Sequence, residues 1–134
     1  MPMIQIRFAT PSPAAGREAA LAACAAQLAR QWLGKDPSVT AVLVERADPA
    51  NWFCAGISLA EQSLAAFWLD IRVTEGTNTK DEKAAFIAAI FAAFGDVLGP
   101  LHAESYVHVV EARGDAYGYG GLTQERRYIA ARPV

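Results

Sequence analysis

The second residue of the chain is a proline, in MPMIQIRFAT. Behind a retained Met1 its nitrogen is a tertiary amide with no basicity. With Met1 removed it becomes a secondary amine at the chain terminus. A free α-amino group has a pKa of about 7.7–8.0. Burial or a nearby cation lowers that value by disfavouring the ammonium form. Such an amine can take a proton from a carbon beside a carbonyl and return it elsewhere, a keto–enol tautomerisation that needs no metal or organic cofactor. The competing reading is structural: proline lacks a ladder N–H, yet the first position of a strand tolerates it. The two cysteines, Cys24 and Cys54, do not make a disulfide framework, and no Cys/His cluster has zinc spacing.

The chain must build a pocket around Pro2 from its 134 residues, a length that suits one domain, 1–134. With 53% hydrophobic residues it has the material for a sizeable core. The net charge of −2, with mixed signs, argues for neither nucleic acid nor an anionic membrane as partner. No apolar run reaches the length of a membrane span, and the N-terminus lacks the basic and long apolar regions of a signal peptide. A soluble, reduced, cytoplasmic protein is the expectation.

Met3–Phe8 alternates as a strand, with Ile4, Ile6 and Phe8 on one face and Gln5 and Arg7 on the other. Ser12-Pro13 resembles a helix start. Leu21, Cys24, Leu28 and Trp32 mark a helix face, and Gly34 a stop. Ser38–Arg46 reads as a buried strand, followed by a turn and a short aromatic segment over Asp48–Gly56. The order then repeats. Ala65–Val73 is a strand, and Thr79 with Glu82 fits a capping box. Phe86, Ile87, Ile90, Phe91, Phe94, Val97 and Leu98 form a helix stripe that Gly99-Pro100 ends. Glu104–Ala112 is a strand, Gly114–Gly121 a hairpin-like segment, and a polar tail follows.

The two units, about 2–62 and 65–124, align at an offset of about 65 residues. Ile4–Arg7 lies over Leu69–Arg72, Leu33-Gly34 over Leu98-Gly99, and Trp52–Gly56 over Tyr117–Gly121. A repeated β-α-β unit predicts an α+β fold: a four-stranded mixed sheet with both helices on one face. The other face is bare and mixed in character (Gln5, Arg7, Trp68, Asp70, Arg72), which calls for a partner chain.

Together these features resemble the tautomerase superfamily, whose members carry a catalytic N-terminal proline. The chain looks like a fusion of two units of the 4-oxalocrotonate tautomerase type. The second unit keeps an E-G turn in TEGTNTKDEK (Thr74–Lys83) and a glycine-rich hairpin in YGYGG (Tyr117–Gly121); the first keeps WFCAGISL (Trp52–Leu59). GKDPSVTAVLV (Gly34–Val44) and SYVHVVE (Ser105–Glu111) resemble stretches of macrophage migration inhibitory factor.

The resemblance implies a homotrimer closing around a barrel, with Pro2 as acid–base on a small 2-keto or enol acid and no cofactor. Lys35 matches a substrate-holding lysine, and Tyr106 a tyrosine that reaches a neighbouring subunit's proline. Phe53 and Tyr117 match the hairpin aromatic of a pocket wall, and His108 takes the place of a polar amide. Both substrate-binding arginines of the 4-oxalocrotonate group are replaced, the first by Thr77, with Lys80 the nearest cation, the second by Thr40 and Tyr106 in the two halves. The arginines on which malonate semialdehyde decarboxylases and dehalogenases depend are absent as well. Arg7 and Arg72 belong on their strands at a subunit junction or channel, and Arg126 and Arg127 in a solvated tail from which they can still reach a neighbouring site. Two other readings fit the same order of elements: a trimeric superfamily member without activity, and a dimeric ferredoxin-like binding protein.

Overall fold

Alternating side chains sort the first strand between two faces. In the computed structural model, which describes residues 1–133, β1 (Met3–Ala9) buries Ile4, Ile6 and Phe8 and exposes Gln5 and Arg7. Helix α1 (Arg17–Leu33) follows, then β2 (Ala41–Arg46), the small hairpin β3 (Phe53–Cys54) and β4 (Ile57–Ser58), and the single-turn helix α2 (Leu59–Gln62). The second half adds β5 (Ala66–Thr74), α3 (Lys80–Leu98), β6 (Tyr106–Ala112), the hairpin β7 (Gly118–Tyr119) and β8 (Leu122–Thr123), and α4 (Gln124–Ala131).

The sheet order is β2-β1-β5-β6. β1 pairs with β2 in parallel and with β5 antiparallel, and β5 pairs with β6 in parallel. Both parallel pairs are direct neighbours, whereas the ferredoxin-like plan splits each β-α-β unit with an inserted strand. That alternative is therefore set aside. Moving 65 residues along the chain carries β3 and β4 onto β7 and β8 residue for residue. The pair Gln5↔Asp70 consists of two equivalent positions, so an approximate two-fold axis passes between them.

Helices α1 and α3 cover one face. Ile4, Ile6, Phe8, Phe67, Leu69, Ile71 and Val73 from the sheet meet Leu21, Ala25, Ala29, Phe86, Ile90 and Phe94 in a continuous core. Each large side chain buried there contributes roughly 1.5–3 kcal/mol relative to exposure. The Phe67 and Phe94 rings meet edge to face at 4.7 Å. No helix among the described residues is long and apolar enough to cross a membrane.

Several local expectations shift. α1 starts at Arg17, not near Ser12, because Gly16 at φ 86° turns the chain into the helix. Ser12 is held in the preceding loop, its N–H on Thr10 Oγ1 and its hydroxyl oxygen accepting from Arg17. β2 is an edge strand with Leu43 exposed rather than a buried one, and Trp32, Ile87 and Phe91 at the flanks of the helix stripes stay partly in solvent. The polar tail folds as α4, with Thr123 accepting from the Arg126 N–H at its start. Ser58 caps α2 at the equivalent place.

The capping box of α3 is present in both directions, Glu82 N–H to Thr79 Oγ1 at 3.1 Å and Thr79 N–H to Glu82 Oε1 at 2.7 Å. Thr79→Ala removes one arm and should cost about 1 kcal/mol, lowering Tm by roughly 2–6 °C. Thermal unfolding followed by circular dichroism checks this, and an unchanged Tm contradicts it.

Candidate active site

Pro2 sits just ahead of β1 and is buried. Its carbonyl accepts the Ala41 N–H at 3.0 Å, which locks it to the start of β2. The Met1 amine donates to the Val39 carbonyl. The segment beside it is preset by Asp36, whose carboxylate accepts from the Ser38 N–H at 2.9 Å and the Ser38 hydroxyl at 2.8 Å. A cavity of about 780 Å³ opens here, lined by Pro2, Val39, Thr40, Arg72, Tyr117 and Tyr119 among others.

Tyr117 closes this end of the sheet. Its hydroxyl oxygen accepts the Met3 N–H at 3.2 Å, and its O–H donates to the Arg72 carbonyl at 3.1 Å. The hairpin behind it needs its glycines. A Cβ on Gly118 would overlap the Leu122 carbonyl, and Gly120 and Gly121 turn at φ 60° and 83°, as a tight hairpin with two positive-φ residues requires. Arg127 of α4 donates to the Tyr119 carbonyl at 2.8 Å and stacks its guanidinium 3.9 Å above the Tyr119 ring. Its Nε is buried without a partner. Arg127 thus packs behind a residue of the cavity lining, Tyr119, and itself lines a neighbouring cavity. The sequence signal for it was the Ser58/Thr123 correspondence, which predicts a capped helix after each hairpin.

Burial lowers the pKa of the Met1 amine; Asp36 opposes this, while Lys35 and Arg127 add to it. Lys35 does not line the cavity: its Nζ donates to Thr77 Oγ1 at 3.2 Å. Burial pulls its own pKa down, against the pull of Glu82. Arg72 lies in the cavity lining, while Arg7 pairs with Glu45 at 3.5 Å on the open face.

The remaining sequence candidates lie at the opposite end or on the open face. β1 runs about 20 Å from Pro2 to Ala9, which pairs with Ala66. At that far end Phe53 projects with 62% of its surface exposed, and Tyr106, 52% exposed, tilts against Trp68 at 5.8 Å. The Tyr106 hydroxyl donates to Glu104 at 3.0 Å, which pushes its pKa up. His108 stands on the open face 3.9 Å from Asp70. Within one chain, then, Tyr117 shares the end of Pro2, and Phe53 and Tyr106 do not.

A second cavity, of about 660 Å³, lies between the β5–α3 turn and α4. Arg113 and Asp115 pair there with bonds of 2.9 and 2.7 Å, and Glu75, Glu125 and Arg127 also line it. The Pro2 cavity is the better candidate because it sets a potential base beside a cation, Arg72, that has no carboxylate partner among the described residues.

No family model matches this chain, and neither does any curated protein. Solved structures do. A fused 4-OT wild-type symmetric trimer superposes with a TM-score of 0.79 at 18% identity, over 97% of this chain and 99% of that one. Native fused 4-OT gives 0.78 at 19%, covering 92% and 97%. FG41 malonate semialdehyde decarboxylase inhibited by 3-bromopropiolate gives 0.74 at 15%, covering 98% and 99%. The fold expected from the resemblance is the fold observed, over nearly the whole chain.

Tyr117→Phe removes both hydrogen bonds that tie the hairpin to β1 and β5. It should lower stability by about 0.5–1.5 kcal/mol and speed hydrogen exchange at the Met3 amide. Urea unfolding and amide exchange test this, and unchanged values in both would show that the hairpin docks by other means.

Proposed function

We propose that this chain is a cofactor-free tautomerase of the tautomerase superfamily. It acts on a small 2-keto or enol carboxylic acid, with Pro2, freed by removal of Met1, as the acid–base. The observation that carries this reading is the buried position of Pro2 in a cavity that also presents Arg72 and Tyr117. The depressed pKa of the amine one residue away supports it.

The Pro2 nitrogen lone pair takes the proton from the carbon next to the carbonyl. The C–H pair becomes a C=C bond as the carbonyl π pair moves onto oxygen, giving an enolate, and the resulting ammonium returns its proton to oxygen or to a different carbon. The proline ends as it began. Arg72, with Arg127 swung from the Tyr119 ring, holds the carboxylate and the developing oxyanion. Lys35 contributes by charge from behind the Ser38–Thr40 wall. The aromatic walls of Tyr117 and Tyr119 suit an apolar tail, so monocarboxylates such as aryl pyruvate enols fit better than muconate-type dicarboxylates.

Assembly completes the site. The open sheet face carries Leu43, Trp68 and Tyr106 beside Gln5, Arg7, Asp70, Arg72 and His108, and both edge strands are unpaired. A homotrimer covers this face and brings the Phe53 and Tyr106 end of one copy to the Pro2 end of the next. The trimers named among the similar structures support this arrangement.

Pro2→Ala, or an N-terminal extension, should remove most tautomerisation of a phenylpyruvate-type enol; an unchanged rate in either excludes Pro2 as the base. Arg72→Ala removes a charge-assisted contact of about 1.5–3 kcal/mol. Its kcat/KM should fall by roughly one to two powers of ten, and a silent variant would move the anion clamp elsewhere. Light scattering should give about three times the 14.3 kDa chain mass; a monomer or dimer contradicts the assembled site.

A further inference from the structure

The approximate two-fold axis pairs the Pro2 cavity with a matching place at the far end of the sheet. Through the 65-residue shift, Pro2 corresponds to Phe67, Pro37 to His102, Val39 to Glu104, and Tyr119 to Cys54. Phe67 is buried and offers no amine. In its place the far end gathers different chemistry: donor atoms of Cys54, His102 and Glu104 all lie within 4.8 Å of one another. The residues come from a hairpin strand and a loop 48 positions apart, a juxtaposition that local sequence spacing cannot reveal.

We propose that Cys54, His102 and Glu104 form a binding site for a divalent transition-metal ion of the zinc class. The donor set is one thiolate, one imidazole and one carboxylate. That combination suits zinc and not magnesium or calcium, which take oxygen ligands. Three protein ligands leave a fourth position for water.

Hydrogen bonds around the three residues position them for ligation. Cys54 is 3% exposed, its carbonyl accepts from Gln62 Nε2 at 3.1 Å, and its thiol takes part in no hydrogen bond among the described residues. His102 donates its N–H to the Ala65 carbonyl at 2.8 Å and accepts the Ser105 hydroxyl on its own carbonyl at 2.9 Å. The Tyr106 hydroxyl donates to Glu104 Oε1, the kind of outer hydrogen bond that orients a metal-binding carboxylate. His102 Nδ1 accepts the Glu104 N–H at 3.0 Å. Ligation through Nδ1 exchanges that bond for the metal and leaves the Nε2 proton free to donate. Bonds of about 2.0–2.3 Å place tetrahedral ligand atoms about 3.3–3.7 Å apart, so the site closes by about 1 Å, within reach of a rotation of the exposed Glu104. The cation offsets the burial and the Glu104 charge that both oppose a Cys54 thiolate. As the metal–sulfur bond forms, the thiol proton leaves to solvent.

The test reads metal binding alone and needs no turnover at Pro2. The probe is cobalt(II), added to the reduced full chain. Binding stoichiometric with the chain should bring a near-ultraviolet thiolate-to-cobalt charge-transfer band, which zinc(II) then displaces. Cys54→Ser should abolish the band, and Cys24→Ser should leave it intact. His102→Ala and Glu104→Gln should each weaken zinc affinity, measured by competition with a chromogenic chelator, at least about tenfold. Glu104 is exposed and His102 only half-buried, so these two variants decide the question even if Cys54→Ser fails to fold. No charge-transfer band in the unaltered protein, a band that depends on Cys24, or unchanged zinc affinity in both His102→Ala and Glu104→Gln overturns the proposal.

Discussion

The antiparallel pairing of β1 with β5 is the constraint on which the molecule depends. Its register, from Met3↔Arg72 to Ala9↔Ala66, centres on Gln5↔Asp70 and relates the two halves. With that register set, each half adds its second strand in parallel on the outside, and both helices fall on the same face. A slip by one residue would turn Ile4, Ile6 and Phe8 out of the core. Two further bonds tie the halves together. Thr10 Oγ1 donates to the Leu98 carbonyl and Asn78 Nδ2 to the Leu33 carbonyl, each at 3.0 Å. Leu33 and Leu98 are equivalent positions, the last residues of α1 and α3, and end carbonyls of a helix lack partners within it. Each long helix is therefore completed by the loop of the other half.

The approximate two-fold gives the sheet two equivalent ends, in which Pro2 and Phe67 hold matching places. The first end holds Pro2 with Arg72, Tyr117 and Tyr119. The second puts Phe67 in the core and is free to carry other side chains. Trp52, the equivalent of Tyr117, packs into a small cluster with Ala9, Cys54, Leu59 and Ala66 instead of bonding to a strand. The neighbouring Phe53, where the second half has Gly118, is turned outward. The Tyr117 end thus opens on the Pro2 cavity, while at the other end Phe53 projects outward.

Much of this was legible in the residues, because the signals are local. Alternation gave Met3–Phe8 and Ala65–Val73 their faces, Thr79 and Glu82 marked a helix start, and Gly34 and Gly99 marked the ends. Ser12-Pro13 misled because a proline behind a serine fits a loop as well as a first turn, and the glycine at position 16 made the turn. α4 went unread because its exposed, polar residues make no apolar stripe, and with it went the place of Arg127. Lys35 was chosen by its position after a glycine, yet a half-buried lysine side chain follows the nearest hydroxyl, here Thr77. The cluster of Cys54, His102 and Glu104 depends on which loops the two-fold brings together, and sequence spacing carries no record of that.

Everything proposed for the Pro2 end requires that its nitrogen be a free amine titrating lower than an ordinary chain terminus. The most direct measurement is the nitrogen NMR signal of Pro2, in protein lacking Met1 and labelled with isotopic proline, followed against pH. Pro2 is buried, and burial disfavours an ammonium, so the account predicts a single titration below the usual range of about 7.7–8.0 for a chain-terminal amine. A Pro2 nitrogen that titrates within or above that range contradicts its role as the base.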